Sequence, residues 1–157
     1  MLTEILSRES CAECKVCCVF DKEDCWEMPL IKSDLAAAVE KDHPNVKMRK
    51  TGVCSVFEPD FGENGLASCP MLTEKGCALG ENKPFDCRIW PFRIMKKNDL
   101  LLLTLSPVCE TVSNLPVSKI AEFSKKISDK IFEEAKSNPE MIKEYIDDYP
   151  VFAVRKI

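Results

Sequence analysis

Ten cysteines in a chain of 157 residues are the side chains best suited to chemistry in this sequence. Four of them form the run Cys11-x2-Cys14-x2-Cys17-Cys18. Two-residue spacers let successive thiolates turn inward on a tight loop and reach one metal centre, as in zinc ribbons and ferredoxins. The first three thiolates suit three corners of a cubane cluster whose fourth ligand comes from far along the chain. Cys18 follows at once, so the run is not a bacterial ferredoxin motif, which continues x3-Cys-Pro.

Side chains of adjacent cysteines are expected to diverge. Cys17 and Cys18 are therefore predicted to serve different metals, or one of them ligates while the other packs. A vicinal disulfide is the strained alternative. Two further cysteines, Cys25 and Cys54, are either buried small hydrophobic residues or added ligands.

A second group of cysteines lies downstream, at Cys69, Cys77, Cys87 and Cys109. Spacings of eight and ten residues between the first three are weak evidence alone, but they supply long-range partners for the N-terminal run. Four thiolates around Zn²⁺ or a [4Fe–4S]²⁺ core carry a net charge of about −2, so a nearby cation is expected. Arg88 and Arg93 are the candidates for that cation.

The composition of the chain argues against several classes of function. A net charge of −4 and a pI near 5.2 argue against a nucleic-acid binder, and no apolar run is long enough to span a membrane. The first residues, Met1–Leu6, lack the pattern of a signal peptide, which predicts a cytoplasmic protein with reduced thiols. Metal binding is therefore favoured over five disulfides. The single histidine, His43, argues against a hydrolytic zinc enzyme, which needs several His or carboxylate ligands.

The predicted secondary-structure elements are short in the N-terminal part of the chain and longer toward the C-terminus. We expect a helix at Glu4–Arg8 capped by Thr3 and another with Ser33 as its N-cap that stops near His43-Pro44. Loops with short strands are expected over 50–82. Residues 90–105 predict a β-hairpin with an Asn98-Asp99 turn. The spacing of Ile120, Phe123, Ile127, Ile131 and Ala135 predicts an amphipathic helix. Asn138-Pro139 is then read as the start of a helix over 140–148, followed by a strand at 151–154.

The motifs resemble the CxxCxxCC cysteine-cluster family of zinc- or iron-chelating domains. Beside the N-terminal run, the matching segments are Cys69-Pro70-Met71-Leu72, Gly76-Cys77-Ala78-Leu79 and the stretch from Lys83 to Phe92. The resemblance covers roughly residues 11–112. It implies that the ligands are Cys11, Cys14, Cys17, Cys18, Cys69, Cys77 and Cys87, with Cys109 carried over less directly because its segment lacks the family's glycines. Lys15 replaces a usual glycine.

The family's cysteine motif is also similar to that of flagellin lysine N-methylases, for which an iron–sulfur cluster and S-adenosylmethionine are implied. This chain is much shorter and shows no recognisable cofactor loop, so methyl transfer does not carry over.

We therefore predict a single domain over 1–157 that is mainly α, with a small β-hairpin. In it an irregular metal-binding region, 11–112, is braced by C-terminal helices, 113–157. The predicted function is a cysteine-ligated iron–sulfur (4Fe–4S) protein for redox, sensing or enzyme-accessory work with a redox or enzyme partner protein. The alternatives are a zinc-binding structural or interaction module and a methyltransferase-like enzyme. Neither nucleic acid nor membrane is a predicted partner.

Overall fold

The computed structural model describes Leu2–Lys22 and Cys25–Ile157, apart from the side chains of Arg8 and Cys25. Contacts divide the chain into two compact units. Cys11–Cys87 form one of them, which we call the cysteine-rich unit. Met1–Ser10 and Arg88–Ile157 form the other, which we call the sheet unit. The single domain expected from the sequence stays a prediction.

The cysteine-rich unit consists of short elements. They are α1 (Arg8–Cys14), β1 (Val19–Asp21), α2 (Ser33–Asp42), β2 (Met48–Thr51), β3 (Cys54–Phe57), β4 (Leu66–Ser68), β5 (Leu72–Thr73), β6 (Gly76–Cys77) and α3 (Phe85–Ile89), of which α1 and α3 run across the unit boundary. Its described strands pair as three antiparallel ribbons, β1 with β4, β2 with β3 and β5 with β6. Two-stranded ribbons are marginally stable alone, so other contacts must hold them.

A small apolar cluster lies in the cysteine-rich unit. The buried members are Ile31, Ala36, Val39, Phe57 and Met71, and the partly buried side chains packed against them include Cys69 and Cys77. Ala36 and Val39 are three residues apart on α2, so they face the cluster together. Two of the predicted ligands, Cys69 and Cys77, thus pack against this apolar cluster.

The sheet unit contains longer elements. They are β7 (Phe92–Lys97), β8 (Leu100–Leu105), α4 (Glu110–Ser113), α5 (Val117–Lys136), β9 (Lys143–Glu144) and β10 (Val151–Lys156). The four strands form one sheet in the order β10-β8-β7-β9, antiparallel except for the parallel pair of β7 with β9. The predicted hairpin is confirmed as β7 and β8, and Asn98 adopts the left-handed conformation that its tight turn requires, at φ 55°.

Helix α5 covers this sheet with the predicted apolar stripe. All five stripe residues are buried, and the ring of Phe123 stacks on that of Phe92 with centroids 6.2 Å apart. Arg155 on β10 donates to Asp129 at 2.6 Å and Glu133 at 2.5 Å, which joins the last strand to the exposed side of α5. Hydrophobic burial therefore stabilises the sheet unit. Among the described residues no helix is both long and apolar enough to cross a membrane.

The predicted mainly α fold is wrong, because the described chain is α+β, with ten strands beside five α-helices. The expected brace of C-terminal helices is a sheet covered by α5. Residues 140–148 do not form the expected helix, since Pro139–Met141 make only a 3₁₀ turn and β9 then joins the edge of β7. At the other end, the first helix begins at Arg8, later than expected, and carries the first two cysteines of the run.

Other expectations hold. Helix α2 is present as predicted, but its N-cap is Lys32 and Ser33 is its first residue. It ends near the predicted position, where the backbone N–H of His43 donates to the Val39 carbonyl at 2.8 Å. Residues 50–82 contain the expected short strands, and β10 confirms the predicted final strand.

Candidate metal centre

Four cysteines of the cysteine-rich unit form one electrostatic network. Cys18, Cys69, Cys77 and Cys87 are all half-buried, and every one of the six pairs among them shows a charge–charge interaction. We call these residues the tetrad. Charge effects fall off with distance and are screened by water, so these interactions indicate that the four thiols are near one another.

The ribbon of β1 and β4 places Cys18 beside Cys69. Val19, the first residue of β1, pairs with Ser68, the last residue of β4. One step further out, the Cys69 N–H donates to the Cys18 carbonyl at 2.7 Å. A residue from the N-terminal run is thereby fixed next to one from the second group, which no sequence spacing could specify.

Cys69 and Cys77 occupy two turns with the same local arrangement. The backbone N–H groups of the residues two and three positions later, Met71 and Leu72, donate to the Cys69 sulfur. Those of Leu79 and Gly80 donate in the same way to the Cys77 sulfur. Hydrogen bonds of this kind favour the thiolate form and tune thiolate-bound metal. The hairpin of β5 and β6 joins the two turns.

The pKa values of the tetrad show how strongly these thiols need a counter-charge. Burial raises the pKa of Cys69 to about 12 and also raises that of Cys77. Burial raises the pKa of Cys87 as well, with Asp86 and the other tetrad thiolates adding to the effect. Burial and mutual repulsion thus disfavour the thiolate forms of Cys69, Cys77 and Cys87, and a nearby cation would offset this effect.

Cys17 and Cys18 do not diverge as the sequence predicts. Their sulfur atoms lie 3.9 Å apart, far longer than the roughly 2.05 Å of a disulfide bond. The hydrogen bond from the Cys17 thiol lowers the pKa of Cys18 to about 7. The same bond is the first cause that raises the pKa of Cys17, followed by burial and by the charges of Cys18, Cys87 and Cys11.

The cation that faces the tetrad is Lys83, which the sequence analysis missed. Its charge lowers the pKa of both Cys18 and Cys77. Lys83 is half-buried directly after the 3₁₀ turn Gly80–Asn82, so the turn that follows Cys77 brings it back to the thiols. The two predicted cations have other partners: Arg88 pairs with Glu134, and the Arg93 guanidinium lies 4.8 Å from the Trp90 ring centroid.

The remaining cysteines are placed as follows. Cys11 is half-buried and Cys14 is exposed, both on α1, and Cys54 is buried in β3, in keeping with a packing role. Cys109 is buried in the sheet unit just before α4, and its assignment as a ligand stays a prediction. The side chain of Cys25 lies outside the described residues.

The donor set of the tetrad suits metals that bind thiolates, but the side chains are not closed around a point. Among the described residues, no group of three or more His, Cys, Asp or Glu side chains is arranged so that it could hold a metal ion.

Comparisons of this chain with models of protein families, with curated proteins and with solved structures found no match. The membership of the cysteine-cluster family that its motifs predict therefore stays a prediction.

Proposed function

We propose that this is a cysteine-ligated metal-binding protein whose principal centre is held by Cys18, Cys69, Cys77 and Cys87. The observation that supports it is the network in which each of these four half-buried thiols interacts electrostatically with the other three. Four thiolates make a complete ligand set for zinc or for a [4Fe–4S] cluster. The half-buried Lys83 offsets part of the remaining negative charge.

An iron–sulfur cluster is the metal group we favour. N–H···S hydrogen bonds to Cys69 and Cys77 are among the features by which a protein sets the potential of such a cluster. Three further thiols, Cys11, Cys14 and Cys17, exceed what one structural zinc needs. The bound cluster would supply one-electron chemistry, and the protein would use it in redox work, sensing or enzyme assistance, with a partner protein in the cytoplasm.

A structural zinc is the second candidate, and one observation favours it. Cys69 and Cys77 pack against the apolar cluster of the cysteine-rich unit, so a metal bound by them would hold the surrounding ribbons together. Zinc sites with four thiolates stabilise small domains in this way. The methyltransferase-like alternative has no additional support in the part of the chain that the structure describes.

Purification without oxygen, followed by spectroscopy and metal analysis, tests the proposal. We expect a brown protein with iron and acid-labile sulfide, whose visible absorbance bleaches on reduction by dithionite. Cys69→Ser and Cys87→Ser should each abolish the absorbance, whereas Cys54→Ala, a change at a buried thiol outside the tetrad, should retain it. A colourless protein with one zinc per chain would support the second candidate. A folded protein without either metal would contradict both.

A further inference from the structure

The outer strand of the sheet unit, β10, has one open edge. It lies at one end of the strand order and pairs with β8 on its inner side. No residue of β10 is buried, and among the described residues no backbone hydrogen bond joins Val151–Lys156 to a segment other than β8. Such an edge presents backbone N–H and C=O groups that can pair with another strand.

The register of β10 shows which backbone groups point to the open edge. The Ile157 N–H donates to the Asp99 carbonyl at 2.9 Å, so these two facing residues form a hydrogen-bonded pair. Hydrogen-bonded and non-hydrogen-bonded pairs alternate along antiparallel strands, so Arg155, two residues earlier, also bonds to β8. The N–H and C=O groups of Val154 and Lys156 therefore point away from β8.

Val154 is also the last member of an apolar row that crosses the sheet. Met95 on β7 faces Leu102 on β8, and Leu102 in turn faces Val154. Facing residues lie on the same side of a sheet, so the three side chains are neighbours, on the opposite side from Arg155 with its contact to α5. Met95 and Leu102 are buried, whereas Val154 is 55% exposed. The row is thus covered as far as β8 and open at the edge.

From this edge we propose that two copies of the chain associate through β10, antiparallel about a two-fold axis at Val154. Each Val154 would donate its N–H to the Val154 carbonyl of the other copy, and the two four-stranded sheets would continue as one. The two valine side chains would face each other, so the apolar row of one copy would extend into that of the other. This association goes beyond the proposed function and does not depend on a bound metal.

The charges around β10 favour a second copy in the antiparallel direction. β10 ends with the basic residues Arg155 and Lys156, and the exposed residues Asp147 and Asp148 precede the strand. Antiparallel pairing turns the basic end of each strand toward the acidic end of the other, whereas parallel pairing would bring like charges together. At the axis the facing residues are both Val154, so no charges meet there.

The strand pair alone would make a small interface. Pro150 has no N–H, and the register of β10 shifts between Val151 and Ala153, so the regular part of the edge is short. A standard interface buries roughly 800 Å² per partner, more than a few strand residues provide. Helix α5 packs on β10 and β8, so the α5 helices of the two copies would lie near each other and add to the contact.

The other edge of the sheet limits the assembly to two copies. β9 is two residues long, Lys143 and Glu144, and both are charged. Short, charged edge strands oppose further pairing. Association through β10 therefore occupies the long open edge of each sheet and yields a closed dimer rather than a fibre.

Sedimentation equilibrium over protein concentrations from about 1 μM to 1 mM tests the dimer. The full chain is kept reduced and free of oxygen, so that disulfides between copies do not form. We expect the average mass to rise from one chain toward two. Val154→Lys should stay monomeric, because two ammonium groups would face each other at the axis. Val53→Lys makes the same change at an exposed valine of the cysteine-rich unit and should dimerise as wild type does.

Amide hydrogen exchange of the wild-type protein, followed by NMR, keeps the test independent of how the variant folds. At concentrations where the dimer forms, the N–H groups of Val154 and Lys156 should exchange at least severalfold more slowly than in dilute protein. The Arg155 N–H bonds to β8 in either state, so it is an internal control and should change little. This alternation distinguishes pairing at the β10 edge from association through another surface.

Three results would overturn the inference. In the first, the wild-type protein is monomeric at every concentration, which would leave the edge to a strand of a different protein. In the second, Val154→Lys dimerises as wild type does. In the third, a dimer forms but exchange at Val154 and Lys156 does not depend on concentration, which would place the contact elsewhere. Metal content does not enter these results, so they are distinguishable from a failure of the proposed function.

Discussion

The two units of this chain differ in what holds them together. In the sheet unit, a four-stranded sheet is covered by one 20-residue helix, and residues such as Phe92, Leu103 and Ile131 are completely buried. In the cysteine-rich unit, the described strands pair only in twos, and five residues make up the buried part of the apolar cluster. The contrast is between a sheet buried under one long helix and a set of two-stranded ribbons, which are marginally stable alone.

The thiols of the tetrad lie where cross-links between the ribbons would act. Cys18 is next to the ribbon of β1 and β4, and Cys87 is on α3. Cys69 precedes the hairpin of β5 and β6, and Cys77 is the last residue of β6. A metal bound by these four residues would cross-link these elements. In this respect it would replace part of a hydrophobic core.

Removal of the metal should affect the two units differently, and this is the largest effect that we expect. We expect chelation under reducing conditions to unfold the cysteine-rich unit, because the binding energy of a structural metal, on the order of 10 kcal/mol, is also folding energy. Hydrogen exchange should show lost protection in β2–β6 and retained protection in β7, β8 and α5. Restoring the metal is the control and should restore protection. Unchanged circular dichroism and protease resistance in the metal-free protein would contradict this account.

A cavity in the sheet unit should lower the stability of the protein without changing its metal content. Ile131→Ala removes a fully buried side chain from α5, and we expect it to lower the free energy of unfolding by about 2–5 kcal/mol. Metal content per folded chain should not change, since the tetrad lies in the other unit. Lys130→Ala, at an exposed position on the same helix, serves as the control and should change stability little. Both quantities can be measured by thermal melting and metal analysis.

Loss of metal in folded Ile131→Ala protein would show that the two units are not energetically separate.

Local sequence patterns predict the elements of this fold that depend on local periodicity. The hairpin of β7 and β8 follows from alternation around an Asn-Asp turn, and α5 from its apolar spacing of three and four. The helix expected over 140–148 does not form, because tertiary contacts favour a strand there. Lys143 and Glu144 pair with Met95 and Lys96 at the edge of the sheet. The Tyr145 N–H then donates to the Lys96 backbone carbonyl at 2.9 Å. Pairing with a distant strand overrides the local start signal.

The sequence identifies the cysteines as candidate ligands, but it does not predict which of them lie near one another. Cys17 and Cys18 are adjacent in the chain, yet Cys18 interacts with Cys69, Cys77 and Cys87, whereas Cys17 interacts with Cys87 and Cys11. That difference arises because β1 begins directly after Cys18 and aligns it with β4, a pairing across about 50 residues. Lys83 was missed for a similar reason. The sequence analysis named Arg88 and Arg93 as candidates, whereas the turn after Cys77 brings Lys83 near the thiols.

The smallest expected effect concerns the charge of Lys83, which lies near two thiols of the tetrad. Lys83→Met removes the positive charge near Cys18 and Cys77. We expect metal affinity to fall roughly two- to fivefold, or ~0.5–1 kcal/mol, because Lys83 is only half-buried and water screens its charge. Competition with a chromophoric chelator measures this change.

Two further variants separate the position of the charge from its presence. Lys75→Met removes an exposed lysine from the turn between β5 and β6 in the same unit, and it should leave the metal affinity unchanged. Lys83→Arg keeps the charge and should stay near wild type. The deficit of Lys83→Met should shrink at high salt, since salt screens the interaction that the variant removes. Equal losses in Lys83→Met and Lys75→Met would mean that net charge alone, rather than a lysine placed beside the tetrad, affects the centre.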